Sequence, residues 1–162
     1  MKTALFRRDS AAPARGFTMI EFAVTMFVAT SLMAIAAPSF VKYTASQQLR
    51  NASYDLMAAM QLARSEAIKR NTNVDVVRSG SNWAGGWRVV AGATTLRRQD
   101  AYPQVIISDS ANLTKLTYSN DGRPATSTTT FKMQPTAAAG DVTAYCVKLL
   151  LSGTASSTRG GC

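Results

Sequence analysis

The chain contains no histidine. That removes the commonest general base, the usual zinc ligand and the usual partner of a nucleophilic serine or cysteine. Cysteine is almost as scarce. Cys146 and Cys162 are the only two, and two sulfurs without imidazole make a poor metal site. Acidic side chains are few, with 9 Asp and Glu against 18 Lys and Arg. Such an excess favours anionic partners, among them nucleic acid, lipid headgroups and acidic protein faces. The cations are scattered, however. Lys69-Arg70 and Arg97-Arg98 are the adjacent pairs beyond the first 16 residues, so a solvated basic face is the simpler account. No internal repeat is present. These absences leave no catalytic constellation to assemble and no cofactor to expect, and the chain reads as a non-enzyme.

What the sequence does contain is one long apolar run. It opens at Gly16-Phe17-Thr18-Met19-Ile20-Glu21 and continues to Ala37. Roughly 20 apolar residues at ~1.5 Å rise per residue span the ~30 Å hydrocarbon layer of a bilayer. Glu21 is the one ionisable group inside the run. A carboxylate there costs a few kcal/mol on insertion scales and is expected to have a partner or a task. Ahead of the run lies a short leader with Lys2, Arg7, Arg8 and Arg15 against Asp9 alone. Its charge holds the leader on the cytoplasmic side, and Gly16 offers an uncrowded backbone to a protease. Two plainer readings compete. Ala34-Ile35-Ala36 could close an ordinary signal peptide, although the run exceeds a typical h-region of about 7–15 residues and leaves Glu21 unexplained. A plain signal anchor would leave both the Gly-Phe junction and the glutamate as coincidence.

The leader, the Gly16-Phe17 junction and Glu21 together resemble the class III signal of type IV prepilins and pseudopilins. The resemblance implies a cut between Gly16 and Phe17 by the prepilin peptidase, N-methylation of Phe17, and a docking role for Glu21 during assembly. In that role the Glu21 carboxylate meets the Phe17 amine of a neighbouring subunit in an apolar filament core. It also gives Pro38 the place of a proline that lets the helix bend. The implied partners are other minor and major pilins or pseudopilins, the peptidase and methyltransferase, and an inner-membrane assembly platform.

After Pro38 the pattern becomes amphipathic. Leu49, Ala52, Leu56, Met60, Ala63 and Ala67 recur at helical intervals, while Lys42, Arg50, Asp55, Arg64 and Lys69 avoid that stripe. Glu66 and Arg70 stand i,i+4 in the favourable order, and Asn71-Thr72-Asn73 is a stop signal. One helix is therefore expected from Phe17 to about Arg70, its stripe packed on whatever follows. From Val74 the texture is β. Apolar or β-branched runs at 74–77, 87–90, 94–97, 105–107, 113–118, 128–133 and 143–151 alternate with turn residues. Thr126 to Thr130 reads as an edge strand or loop. The expected fold class is α+β and type IV pilin-like, a long N-terminal α-helix packed on a small antiparallel β-sheet domain, in one sheet or two. The expected division is a leader at 1–16, a membrane or filament-core half-helix at 17–41 and a globular domain at 42–162. In an exported domain, Cys146 and Cys162 are expected to pair as a disulfide.

Within that group the chain is similar to the GspH/FimT/FimU type. The matching features are Leu62-Ala63-Arg64-Ser65-Glu66-Ala67-Ile68-Lys69-Arg70, Gly86-Trp87, Asp121-Gly122-Arg123, and Cys146-Val147 with a terminal Cys162. The resemblance implies a minor pilin that helps initiate or cap a type IV pilus. The alternatives are a minor pseudopilin of a type II secretion system and a DNA-binding minor pilin for natural transformation. The DNA-binding members carry a C-terminal Gly-Arg-x-Arg segment, but the stretch here reads Ser152-Gly153-Thr154-Ala155-Ser156. Only Arg159 lies near, expected on a flexible loop tethered by the disulfide, and one phosphate contact is too few for useful affinity. Among the remaining candidates, Trp83 and Trp87 read as packing residues and Asp121 as a turn residue, not a calcium ligand. Asn51 and Asn112 head chance-length glycosylation sequons. A secreted enzyme released after Ala36 would need a histidine-free site, and none can be built from these residues.

Overall fold

The computed structural model describes residues 16–125, 128–136 and 141–162. The leader charges Lys2, Arg7, Arg8 and Arg15, the start of the Thr126 tract and the Ala139-Gly140 turn lie outside the described residues. The chain divides into two compact units, 1–37 and 38–162.

Helix α1 runs Met19–Arg70 and contains Pro38. It begins where Thr18 caps it: the Glu21 backbone N–H donates to Thr18 Oγ1 at 3.2 Å, and the Phe22 N–H to the Thr18 carbonyl at 3.1 Å. Glu21 in the first turn and Lys69 with Arg70 in the last complement the helix dipole. The stop at Asn71 is conformational. Asn71 takes φ 52°, its N–H bonds the Ile68 carbonyl at 3.3 Å, and the Thr72 N–H bonds the Ala67 carbonyl at 3.2 Å. This is a Schellman closure with asparagine in the left-handed position.

In the first unit the large apolar side chains of α1 have nothing to pack on among the described residues. Phe17, Ile20, Phe27, Leu32 and Ile35 are all exposed, and the helix is long and apolar enough to cross a membrane. In the second unit the same helix is one wall of a core. Leu49, Ala52, Leu56, Met60, Ala63 and Ala67 are fully buried, as their spacing predicts. Small alanines on this stripe let the helix approach the sheets closely, and each large neighbour fully buried is worth ~1.5–3 kcal/mol.

Eight strands follow: β1 Val74–Arg78, β2 Trp87–Ala91, β3 Thr94–Gln99, β4 Val105–Asp109, β5 Lys115–Tyr118, β6 Thr129–Pro135, β7 Tyr145–Leu149 and β8 Ala155–Arg159. They form two four-stranded antiparallel sheets, ordered β3-β2-β1-β5 and β4-β6-β7-β8. The inward residues alternate as period two requires. Val74, Val76, Trp87, Val89, Leu116 and Tyr118 come from the first sheet, and Val105, Ile107, Phe131, Met133, Val147 and Leu149 from the second. The two tryptophans are core residues, as expected. Trp83 lies edge-on to Phe131 at 5.1 Å between centroids and donates its Nε1–H to the Leu113 carbonyl at 3.1 Å. Trp87 stacks on Tyr102 at 6.0 Å.

The seventh expected run, 143–151, narrows to β7, and the sequence reading misses β8 altogether. Residues 155–159 are a strand, not a flexible loop. Ala-Ser-Ser-Thr-Arg has no apolar alternation to announce it. It is held by five ladder positions on β7, by the Gly160 N–H to the Ala144 carbonyl at 2.8 Å, and by the disulfide between Cys146 and Cys162. Closing a 16-residue loop stabilises by ~3 kcal/mol in the chain-entropy model. Cys162→Ser is therefore expected to lower the melting temperature by about 10–15 °C, at ~3–5 °C per kcal/mol for a domain between the small and mid-sized classes. The full chain in detergent micelles, followed by fluorescence of its two buried tryptophans, reports the shift. A variant that melts with the wild type would show that the bridge adds nothing.

Candidate assembly surface

The residues the sequence marks for processing and docking lie together at the start of α1. Gly16 and Phe17 are exposed and precede the helix, and Glu21 sits on its first turn, also exposed. The Thr18-x-x-Glu21 spacing is a capping-box pattern that sequence reasoning passed over. Its hydroxyl half is formed, so Thr18 settles where the helix starts and Glu21 does so only through its backbone N–H. The Glu21 carboxylate makes no hydrogen bond or ion pair among the described residues and remains available to another molecule. Pro38 stands within α1 at the junction of the two units, where it cannot donate to the Ala34 carbonyl.

The helix-end motif closes α1, with Ala63 and Ala67 buried and Ser65, Ile68, Lys69 and Arg70 exposed. Glu66 accepts from Arg70 Nε at 2.6 Å and faces Lys69 at 3.8 Å, and the Arg70 bond holds its carboxyl below the usual carboxylate range. Arg64 has its Nε buried without a partner, against two turns. Gly122 carries φ 77° and Gly153 φ 80°, and a Cβ on either would meet the Arg64 Nε at 3.3 or 3.2 Å. Tyr118 donates to the Gly153 carbonyl at 3.3 Å. Asp121 acts as a turn residue, accepting the Arg123 N–H at 3.1 Å. Asn51 is exposed on α1, and Asn112 is exposed with φ 50°.

Burial pushes the Tyr118 hydroxyl up to about 12, with the nearby Arg64 opposing. Tyr102 is raised further, by burial first and then by its 2.5 Å hydrogen bond to Asp55. A phenol whose folded pKa lies above its unfolded value of ~10 contributes stability in full below pH 10 and loses it as pH rises towards the folded pKa. The domain is thus expected to weaken between pH 10 and about 12, and Tyr118→Phe to flatten that decline. Urea midpoints measured at pH 9 and pH 11 would decide, and equal midpoints for the wild type would refute it.

Arg159 lies on the edge strand β8 opposite Tyr145, while Lys132 and Lys148 alternate onto the other face of the same sheet. The fold does not gather these three cations into one patch. Among the described residues there is no group of three or more His, Cys, Asp and Glu able to hold a metal ion. A polar cleft of about 260 Å³ between Arg78, Trp83 and Asp109 is smaller than the ~300–1,000 Å³ of small-molecule sites.

Residues 52–153, more than half of the chain, match the family model described as Type II transport protein GspH. The chain belongs to the GspH family. That makes it a pilin-type structural subunit of a family whose members assemble with other pilins or pseudopilins in a filament. The GspH fold seen here is similar to the crystal structure of the type IV minor pilin FimU of Pseudomonas aeruginosa strain PAO1. The identity is 20%, 70% of this chain and 90% of that chain are covered, and the TM-score is 0.60. It is also similar to the minor pseudopilin EpsH from the Type 2 Secretion System of Vibrio cholerae, at 12% identity over 69% of this chain and 97% of that chain, with a TM-score of 0.53. At those identities the likeness speaks for the fold. No curated protein matches the chain by sequence.

Proposed function

We propose that this GspH-family chain is a minor pilin of a type IV pilus. In this reading residues 1–16 are removed between Gly16 and Phe17, and Phe17 is N-methylated. Residues 17–41 anchor the chain in the inner membrane and later enter the filament core, while 42–162 form the domain on the periplasmic side. The subunit helps initiate or cap assembly. The observation that carries the proposal is the first unit of α1, whose large apolar side chains are all exposed and whose Glu21 carboxylate has no partner among the described residues. Such a surface is stable in lipid or among identical helices, not in water. In either place a lone carboxylate requires a cation, and a methylated Phe17 amine on a neighbour supplies one.

Mass spectrometry of the mature chain tests the first step. N-methyl-Phe17 is the expected N-terminus, and one at Ala37 would overturn the reading. A minor pseudopilin of a type II secretion system keeps the same steps in a different filament; the family model's name and the likeness to EpsH support it. DNA binding through Arg159 gains nothing from the fold, because the strand leaves that side chain a single cation.

A further inference from the structure

We infer that the outward face of the first sheet docks an acidic surface of a different protein subunit, with Arg88 and Arg98 as its paired anchors. The inference rests on the filament-subunit reading and names a contact within it. In the register of the sheet, Arg98 on β3 stands directly opposite Arg88 on β2, Arg88 opposite Val77 on β1, and Val77 opposite Lys115 on β5. One row across four strands therefore reads Arg, Arg, Val, Lys. Like charges directly opposite on neighbouring strands destabilise a sheet, and a chain with no use for the pair could relieve it by changing either residue. The pair is not neutralised from within. Arg88 makes no ion pair among the described residues, and Arg98 meets only Asp100, at 3.5 Å on a carboxylate that is 90% exposed, a contact of little worth in water. Lys115 is already matched, by Asp75 at 3.2 Å.

Three observations narrow the occupant. First, a second copy of this chain has almost nothing to offer. Among the described residues of the domain, Asp55, Glu66, Asp75 and Asp121 each face a cation and Asp109 accepts the Leu113 N–H, which leaves a copy only Asp141 and the weakly held Asp100 to present. Second, Val77 lies half-buried between Arg88 and Lys115, and Val90, also half-buried, stands in the next row of the same face between Thr95 and Asp75. Apolar area beside arginine is the composition of a protein contact. A phosphate backbone gains nothing from valine, and so few free cations would give DNA only a shallow salt dependence. Third, strand alternation sends Arg97, opposite the buried Val89, to the other face of the sheet, where its guanidinium reaches Asp55 on α1 at 3.3 Å. The pleat of β3 separates two adjacent arginines into one that ties sheet to helix and one that faces outward.

The test uses the full chain in the cells that assemble it. The photo-crosslinker p-benzoylphenylalanine is placed at position 95, exposed and opposite Val90 on this face, and separately at position 27 in the apolar half of α1. The expected result is a cross-link from position 95 to an acid-rich segment of another subunit, identified by mass spectrometry of the joined peptides. Arg88→Glu with Arg98→Glu should reduce it at least tenfold, while Arg159→Ala leaves it intact. A cross-link to a second copy, to nucleic acid or to a segment without carboxylates overturns the inference, as does one that survives the double reversal. If position 27 cross-links to other subunits and position 95 does not, this contact fails and the filament reading stands. If neither does, both fall.

Discussion

Gly153→Ala is expected to unfold most of the domain at temperatures where the wild type is intact. Gly153 sits at φ 80°, and a Cβ there would lie 2.1 Å from the Gly122 carbonyl oxygen. The left-handed backbone alone costs an L-residue ~1–2 kcal/mol. The clash adds more, because the obstructing atom is backbone and cannot swing aside as a side chain would, and overpacking typically costs ~1–3 kcal/mol. A combined loss of ~3–4 kcal/mol is a large part of the ~5–15 kcal/mol that holds a domain together. The contact also joins the β5–β6 turn, the β7–β8 turn and α1, through Arg64 and through the Tyr118 bond to the Gly153 carbonyl. Gly92→Ala is the control. It has φ 57° but nothing within 4 Å of its Cβ position, so only the backbone term of ~1–2 kcal/mol applies. Tryptophan fluorescence melts of both variants in micelles should differ by more than about 5 °C at ~3–5 °C per kcal/mol. Equal melting points would mean that the close approach carries no energy.

Glu21→Ala is expected to reduce incorporation into filaments by at least about 100-fold while the processed chain still accumulates in the membrane. Removing one partner of a buried ion pair strands the other, at ~3–5 kcal/mol, and each ~1.4 kcal/mol is a factor of ten. The helix start does not depend on the lost carboxylate. Thr18 Oγ1 accepts from the backbone N–H of residue 21 whatever its side chain, so a failure to assemble would not be a failure to fold. Immunoblots of sheared filaments against the membrane fraction would give the ratio. Wild-type incorporation of the alanine variant would remove Glu21 from the docking step.

The stripe Leu49, Ala52, Leu56, Met60, Ala63 and Ala67 was legible because helical periodicity is a property of neighbouring residues, and burial followed it without exception. Seven of the strands were legible for the same reason, by alternation between turn residues. β8 was not. Its serines and threonine are neutral as to structure, and its order comes from a partner strand and a covalent bond reached only in the folded chain. The capping role of Thr18 could have been read from Thr18-x-x-Glu21, but the charge of Glu21 drew attention from its backbone.

By itself the sequence determined the division of labour along the chain: a basic leader, an apolar half-helix with a lone carboxylate, an amphipathic half-helix, and a β-rich remainder with one cysteine pair. Those are local properties of composition and period. Only the tertiary structure decided that there are two sheets, that Gly122 and Gly153 touch, and that Arg88 stands opposite Arg98 while Arg97 turns to the helix. Strand order and register place residues far apart in sequence side by side. No pattern within a single strand encodes which partner it will meet.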